Sequence, residues 1–229
     1  MLFNNFIDGF IHLENYFSPF EQILLWETCH TVFTAHPLWR PAFAFGKDKD
    51  SNVLTSPYAL ENTNCGIYGW LADEQGQRYS QLARNGQKWT ALPKYFDDLV
   101  RRLKKESLIP ESFRPENCLI NKYQDWKIDG KPKLSRLGLH RDKSESNLEP
   151  PIISISLGLS AIFQIGGLDK ADSVQEVILT SGDLVIMGGG LKGARNAYHG
   201  VKCVLPKSFP EYLPKSEEYR LNITIRQVN

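Results

Sequence analysis

The sequence lacks several features that would assign it to common functional classes. No run approaches the roughly 18 consecutive apolar residues of a membrane-spanning helix, so we expect no membrane insertion. Its four cysteines are widely separated and form no Cys-x-x-Cys pair, which argues against a disulfide framework or a zinc knuckle. The formal net charge is only +1, so only a local patch could indicate a nucleic-acid partner. Internal repeats and low-complexity tracts are absent too.

The composition is that of an ordinary globular protein, with 41% apolar and 23% charged residues. A length of 229 residues suits one large β-rich domain over residues 1–229, which we expect to be a monomer. The opening segment MLFNNFIDGF has neither the basic start nor the sustained apolar core of a signal peptide. We therefore expect a cytoplasmic protein with reduced thiols.

Two segments in the first half have helical patterns. In SPFEQILLWETCHTVFTAH, Ser18 can cap a helix, Pro19 suits its first turn and Glu21 completes a capping box. The apolar residues that follow are expected to be mostly buried: Ile23, Leu24, Leu25 and Trp26. In PKYFDDLVRRLKKESLIP, four apolar residues stand at helical spacing opposite a basic face: Phe96, Leu99, Val100 and Leu103.

The rest of the chain has β patterns. Residues 40–92 are rich in Gly, Asn, Ser and Pro, which predicts loops and short hairpins outside the core. From Asn117 onward, strand-like segments and turns alternate without helices. Within IISISLGLS, apolar residues alternate with Ser or Gly, as in a strand buried on one face, and TSGD is typical of a tight hairpin. These patterns predict a mainly β (α+β) fold with flanking helices, either a sandwich or a jelly-roll barrel.

The segment LGLHRDKSES places two good metal ligands, His140 and Asp142, on the same side of one predicted strand. Alone, this pattern is more typical of a solvated strand end. The one histidine further along, His199 in AYHGV, would complete a two-histidine, one-carboxylate set of the kind that non-haem Fe(II) oxygenases use. Taken singly, that histidine would more often be a packed or surface residue.

The segment YRLNITIR puts Arg220, Asn222, Thr224 and Arg226 on one face of a predicted strand. Arginines on a buried face need an anion, and the guanidinium fork suits carboxylates, although an exposed edge strand would carry the same pattern. Together, the H-x-D pair, the distant histidine and two arginines predict a site for Fe(II) and 2-oxoglutarate.

Several blocks in this order resemble the AlkB family of Fe(II)/2-oxoglutarate-dependent dioxygenases, which repair alkylated bases. The resemblance runs from NTNCGIYGW to the C-terminus and includes CLINKY, LHRDKSE, PIISISLGLSAIFQIGGL, SGDLVIMGG, YHGV and RLNITIRQ. It implies a double-stranded β-helix (jelly roll) over residues 117–229. An N-terminal helix and loop region, residues 1–116, would carry a nucleotide-recognition lid.

The resemblance also implies roles for residues by position. His140, Asp142 and His199 correspond to the iron ligands. The contacts to 2-oxoglutarate correspond to Asn121, Tyr123, Arg220, Asn222 and Arg226, with Arg226 at the carboxylate beside the metal and Arg220 at the distal one. The implied reaction uses O2, converts 2-oxoglutarate to succinate and CO2, hydroxylates an N-methyl carbon and releases formaldehyde. Its substrate would be a flipped or single-stranded base of the 1-methyladenine or 3-methylcytosine type, in DNA or RNA.

Residues implied to contact substrate include clear departures from the family pattern. Trp70 stands where the family stacks an aromatic on the base, and Gln77, Arg78 and Tyr79 follow, with Gln77 replacing an aromatic. Others are Lys170, which replaces an arginine, and Ser144, which replaces a frequent carboxylate. The loop 124–132 is longer than usual and carries lysines that suit phosphate contacts or a tolerated insertion.

These departures lie in the substrate pocket, so a second hypothesis is a hydroxylase of a small molecule or a protein side chain on the same iron centre. A third is a barrel that only binds nucleic acid, which the complete set of ligand residues disfavours. The sequence does not specify DNA over RNA, nor the lesion.

Overall fold

The computed structural model describes residues 7–128, 131–216 and 218–229, with the side chains of 127–128 and 131–132 left out. Two α-helices lie in this part of the chain, α1 (Pro19–Ala35) and α2 (Lys94–Lys105). The strands are β1 (Phe10–Leu13), β2 (Ala42–Lys47), β3 (Val53–Pro57), β4 (Glu61–Gly66), β5 (Gly69–Asp73), β6 (Gly76–Ser80), β7 (Asn117–Tyr123), β8 (Trp126–Ile128), β9 (Lys131–Lys133), β10 (Leu137–His140), β11 (Ile152–Gly158), β12 (Ala161–Ile165), β13 (Gln175–Leu179), β14 (Leu184–Met187), β15 (His199–Val204) and β16 (Arg220–Arg226).

Two antiparallel sheets form the body of the protein. The major sheet has the order β1-β14-β11-β16-β7-β4, and the minor sheet has the order β10-β15-β12-β13. One face of the major sheet packs on α1 and α2, and a second apolar cluster joins its other face to the minor sheet. This arrangement is the predicted mainly β jelly roll with flanking helices, and β7 begins at Asn117 as predicted.

Both predicted helices are confirmed. At α1, the Ser18 hydroxyl accepts from the Glu21 N–H, and the Glu21 carboxylate accepts from the Ser18 N–H at 2.8 Å. Leu25 and Trp26 are buried, whereas Ile23 and Leu24 are only half-buried, so that part of the burial prediction was too strong. The apolar face of α2 is buried as predicted, at Phe96, Leu99, Val100 and Leu103.

Strand β11 corrects a prediction. It is buried on both faces, not one: Ile153, Ile155 and Leu157 pack towards the helices, and Ser154 and Ser156 are buried on the other face. The serines are tolerated because side chains of β16 use their hydroxyls, as described below. Alternation with small polar residues indicated the period of the strand correctly but not its burial.

Residues 40–92 also differ from the prediction. The hairpins β2–β3 and β5–β6 are the expected short hairpins, but β4 is a buried strand that pairs with β7 in the major sheet. Its polar sequence ENTNCG hides this role, because Asn62, Thr63 and Asn64 are all buried. The side chains of Thr63 and Asn64 hydrogen-bond to the backbone of His36 and Trp70.

The TSGD segment is not a hairpin. It carries the chain from β13 in the minor sheet to β14 in the major sheet, so the two strands that flank it do not pair. Gly182 has a φ of +93° there, which suits a sharp turn. Local sequence predicted the turn, but only the two-layer topology decides which strands it joins.

Among the described residues, no helix is both long and apolar enough to cross a membrane. All four cysteines are free thiols.

Candidate active site

Three side chains converge beside the minor sheet, two from its neighbouring strands β10 and β15 and one from the segment that follows β10. One ligand atom from each of His140, Asp142 and His199 lies within 4.8 Å of the others. The two imidazoles face each other because His140 of β10 and His199 of β15 are direct cross-strand partners, and their ring centroids are 4.5 Å apart. Spacing of this kind suits a single metal ion.

Both imidazoles are held with the same nitrogen facing the cluster. Nδ1 of His140 donates to the Gly138 carbonyl at 2.9 Å, and Nδ1 of His199 donates to the Ala197 carbonyl at 3.0 Å. Their Nε2 atoms lie 3.7 Å and 3.5 Å from the Asp142 carboxylate. A backbone acceptor on the far nitrogen is the usual way in which proteins orient a metal-binding histidine.

Asp142 does not lie on the strand that the sequence pattern predicted. His140 is the last residue of β10, and Asp142 follows in the irregular segment after it. The carboxylate still meets the two rings because the chain turns inward beneath them, where Arg195 Nη1 donates to the Asp142 carbonyl at 3.2 Å.

The electrostatics at Asp142 and His140 favour the protonation states in which these two side chains bind a metal. Burial opposes ionisation of Asp142, but Arg226 at 2.9 Å outweighs it and, with the imidazoles, holds the pKa of this carboxyl well below its usual range. Burial and the neighbouring His199 lower the pKa of His140. A carboxylate with neutral imidazole is the donor set that divalent iron needs.

The predicted anion-binding residues share the inner face of the major sheet. In the register of β7 and β16, Tyr123 pairs with Arg220 and Asn121 pairs with Asn222. A cavity beside the His–Asp–His cluster is lined by most of the predicted set: Asn121, Tyr123, Asn222 and Arg226. Asn222 is fixed there by hydrogen bonds to the Ser154 hydroxyl at 2.8 Å and the Ile155 carbonyl at 3.2 Å.

Arg220 is a buried cation without a carboxylate partner among the described residues. Its side chain donates to the Ser156 hydroxyl at 2.9 Å, and its buried Nε has no partner. Burial lowers its pKa to about 10. A buried guanidinium without a carboxylate partner is costly unless an anion neutralises it.

Arg226, in contrast, has side-chain partners for its two terminal nitrogens. It contacts Asp142, Glu145 and Tyr79 at 2.9, 3.0 and 3.2 Å, and its Nε alone is buried without a partner. Burial would lower its pKa, but Asp142, Tyr79 and Glu145 outweigh burial and raise it well above the usual value. This guanidinium is therefore fully charged and held at the junction of the cluster and the cavity.

Glu145 and Arg195 are residues that sequence reasoning missed. Glu145 is almost fully buried and lies between two arginines, Arg226 at 3.0 Å and Arg195 at 3.3 Å. It also accepts from the Tyr79 hydroxyl at 2.8 Å, which ties the β5–β6 hairpin to the barrel. Only its position three residues after Asp142 could have indicated it, since buried carboxylates are rare unless paired.

We expect that Tyr79→Phe lowers the free energy of unfolding by about 1.5–3 kcal/mol, because its hydroxyl bonds two charged and buried groups. Urea denaturation measures this loss. Tyr198→Phe is the matched control, since the Tyr198 hydroxyl makes no hydrogen bond within the described part of the chain. Equal losses in the two variants would contradict the network.

A cleft opens on the other side of the cluster, and His140 and Asp142 line both this cleft and the inner cavity. Trp70 forms part of its wall, with Tyr58 edge-on to its ring at 6.1 Å. Gln77 also lines the cleft and donates to the Tyr58 hydroxyl at 2.7 Å. Ser144 lies on the rim next to the cluster.

The backbone of Trp70 is fixed by the major sheet. The Asn64 side chain of β4 accepts from the Trp70 N–H at 2.9 Å and donates to the Trp70 carbonyl at 3.1 Å. Gly69 lets the strand pack closely on Trp89, since a Cβ there would lie 2.2 Å from the Trp89 ring. The backbone of Trp70 is thus held in the wall of the cleft that His140 and Asp142 also line.

The structure does not bring every predicted substrate residue to the cleft. Arg78 lies on the opposite face of the β5–β6 hairpin and pairs with Asp73 at 2.6 Å. Tyr79 points inward to Glu145, and burial raises its pKa. Lys170 is exposed on the turn after β12, away from the cleft lining.

Residues 9–226 match the model of the 2OG-Fe(II) oxygenase superfamily. The chain is 39% identical over 166 residues to the alpha-ketoglutarate-dependent dioxygenase AlkB of Escherichia coli, covering 72% of this chain and 69% of that protein. It is 28% identical over 222 residues to the human nucleic acid dioxygenase ALKBH1, covering 90% of this chain and 53% of that protein. The solved structure of OsALKBH1 has the same fold, with a TM-score of 0.71 at 24% identity over 96% of this chain and 98% of that one.

Proposed function

The chain belongs to the AlkB family of 2OG-Fe(II) oxygenases, and we propose that it removes N-alkyl groups from nucleic-acid bases by oxidation. The observation that supports this proposal most strongly is that Trp70, His140 and Asp142 line one and the same cleft. A flat ring held in the cleft would present an alkyl substituent to the metal position. Bases of the 1-methyladenine and 3-methylcytosine type, in DNA or RNA, fit this arrangement.

As a member of this family, the protein uses Fe(II), 2-oxoglutarate and O2. When bound, these supply the oxidation, in which 2-oxoglutarate becomes succinate and CO2 while the alkyl carbon gains an oxygen atom and leaves as formaldehyde. Two features of the structure fit them: two imidazoles beside a carboxylate, and the buried Arg220, which has no carboxylate partner among the described residues.

The roles that we assign to the chain are binding and orientation. His140, Asp142 and His199 would hold Fe(II) through Nε2, a carboxylate oxygen and Nε2. Arg220 would bind the distal carboxylate of 2-oxoglutarate and Arg226 the carboxylate nearer the metal, with Asn121, Tyr123 and Asn222 as hydrogen-bonding partners. Glu145 and Arg195 keep Arg226 and the Asp142 backbone in place. Apolar residues of the minor-sheet cluster, such as Phe163 and Met187, line the cavity beside these side chains.

Base recognition is assigned to the cleft wall. Trp70 would stack on a flipped base, and Gln77 with Tyr58 would line its edge. Ser144 offers a short neutral hydroxyl at the rim, so it can both donate to and accept from a base edge, which a carboxylate cannot do when ionised. We therefore expect less discrimination for exocyclic amino groups than a carboxylate would give.

The wider arrangement is also proposed. Residues 1–116 would carry the recognition lid on the core of residues 117–229, and the whole chain would form a single domain that acts as a monomer on single-stranded or flipped substrate. Cytoplasmic location is supported by the four free cysteines.

The test is turnover. Oligonucleotides with 1-methyladenine, 3-methylcytosine or an unalkylated control base are incubated with Fe(II), 2-oxoglutarate and O2, and mass spectrometry follows the loss of the alkyl group. Loss of the methyl group with matching succinate is expected. Succinate production without any demethylation of DNA or RNA would contradict the proposal and favour a small-molecule or protein hydroxylase.

Trp70→Ala is expected to weaken binding of a methylated single strand by about 1–3 kcal/mol, the contribution of one base stacked on an aromatic ring. Trp70→Phe should recover much of this, because any flat ring offers a face. Equilibrium binding without O2, at two salt concentrations, measures both variants, with 2-oxoglutarate and metal affinity as the controls that should not change. Wild-type affinity in Trp70→Ala would contradict the stacking role.

A further inference from the structure

A second depression continues from the cleft along the outside of the minor sheet. We call it the lateral groove and define it by Phe43, Tyr58, Trp126, Lys133, Arg136 and Lys202. Its walls are the β2–β3 hairpin, the β8–β9 hairpin and the outer face of β15. Strands β8 and β9 lie at either end of the predicted 124–132 loop, of which residues 129–130 are outside the described part of the chain.

The groove and the cleft are continuous. Tyr58, Leu137 and Gly138 line both, so the groove adjoins the cleft along these three residues. Aromatic rings mark the same route. Trp70 in the cleft contacts Tyr58 edge-on at 6.1 Å, and Tyr58 contacts Phe43 edge-on at 5.5 Å.

These rings offer stacking surfaces. Phe43 is 42% exposed, which is costly for a phenyl ring unless something covers it. Trp126 is partly exposed and is held in place by Arg40, whose guanidinium lies 3.8 Å from the centre of the indole ring. Both rings are therefore accessible at the groove wall, Phe43 on β2 and Trp126 on β8.

The groove is also cationic. Lys133 and Arg136 are exposed and have no carboxylate partner within the described residues, whereas Lys202 is paired with Glu176 at 2.8 Å. No carboxylate stands among the described lining residues. Exposed rings interleaved with unpaired cations are the features with which proteins bind the bases and phosphates of a single strand.

We propose that the lateral groove binds the nucleotides that flank the target base on one side, as an extended single strand. This inference rests on the proposed function, because the groove begins where a flipped base would leave the cleft. Phe43 and Trp126 would stack on flanking bases, and Lys133 and Arg136 would contact phosphates.

The test uses fluorescently labelled single-stranded DNA with one 1-methyladenine: a trimer, a 12-mer extended only on the 5′ side and a 12-mer extended only on the 3′ side. Binding to the metal-loaded protein with 2-oxoglutarate is measured without O2, so that turnover cannot occur. One of the two 12-mers should bind more tightly than the trimer. The double variant Lys133→Glu/Arg136→Glu should lose that gain and bind the trimer like the wild type.

The salt dependence gives a second readout. Loss of two phosphate contacts should reduce the slope of log affinity against log salt by about 1.4 for the favoured 12-mer, because each contact to a single strand contributes about 0.7. Phe43→Ala should weaken that 12-mer by about tenfold, within the range for one lost stack. Lys215→Glu is the matched charge control, since Lys215 is exposed and outside both the groove and the cleft.

Equal affinity of the double variant and the wild type for both 12-mers would refute the proposal that the lateral groove binds flanking nucleotides. Failure of the wild type to bind or demethylate even the trimer would contradict the proposed function instead. The groove would then be judged on an unmodified 12-mer, whose binding the double variant must still weaken for the inference to stand.

Discussion

Replacing any one of His140, Asp142 and His199 is expected to abolish turnover. The three donor atoms lie within 4.8 Å, and no other group of three His, Cys, Asp or Glu side chains with this spacing is found among the described residues. Loss of an outer partner of a metal ligand typically costs about 10–100-fold in metal affinity or activity, and loss of a ligand itself should cost more. His140→Ala, Asp142→Asn and His199→Ala should therefore fail to bind Mn(II) tightly by calorimetry and fail to demethylate.

Folding must be separated from metal binding in this experiment. Circular dichroism and thermal unfolding of the metal-free variants check that the jelly roll is intact. His30→Gln is the control, because His30 is an exposed helical histidine outside the cluster. Wild-type metal affinity together with wild-type turnover in any of the three variants would refute the assignment.

The two arginines of β16 are expected to respond to substitution in opposite ways. Arg220 is a buried cation without a carboxylate partner among the described residues, so Arg220→Met should leave the ligand-free protein equally stable or more stable. Arg226 neutralises Asp142 and Glu145, so Arg226→Met should destabilise the ligand-free protein by about 3–5 kcal/mol by leaving buried carboxylates without a partner.

Both variants should nevertheless lose 2-oxoglutarate. Removing one charge-assisted partner of a buried carboxylate costs about 2–5 kcal/mol, or roughly 30-fold or more in affinity. Arg226→Lys should recover only part of the loss, because one ammonium cannot reproduce the two-pronged contact of a guanidinium. Arg220→Lys should likewise be incomplete.

Thermal unfolding with and without 2-oxoglutarate measures both effects at once, because a ligand that binds only the folded protein raises its stability with concentration. The wild type should be stabilised by 2-oxoglutarate in the presence of Mn(II). An unchanged 2-oxoglutarate titration in Arg220→Met would contradict the role of Arg220 at the distal carboxylate. An increase in the stability of ligand-free Arg226→Met would contradict the stabilising role of the ion pairs with Asp142 and Glu145.

Many features of the candidate site could be predicted from local sequence, because side chains of a strand alternate between its two faces every two residues. Even spacing in YRLNITIR places four polar residues on one face of β16, and the structure has that strand from Arg220 to Arg226. The capping box at Ser18 and the buried face of α2 followed in the same way from rules that act within one or two turns. Each of these features depends on neighbours only a few residues away in the chain.

The wrong predictions concern residues whose position or burial depends on segments that are distant in the sequence. Asp142 was expected on a strand and lies just after one, and its position is set by Arg195, which is 53 residues further along the chain. Polar β4 was expected outside the core and is a buried edge strand, because β7 and the helices cover it. Glu145 gave no local signal at all, since its burial depends on two arginines from other segments.

The sequence by itself predicted candidate residues for binding a metal and a dicarboxylate, both helices, and the even spacing that puts polar residues on one face of β16. The tertiary structure alone decided that TSGD crosses between sheets, that Asn64 holds the backbone of Trp70, and that the lateral groove adjoins the cleft. The physical reason is the distance along the chain over which each kind of interaction acts. Period and capping act along the chain, whereas partner choice, burial of charge and the shape of a cleft depend on how separate segments pack.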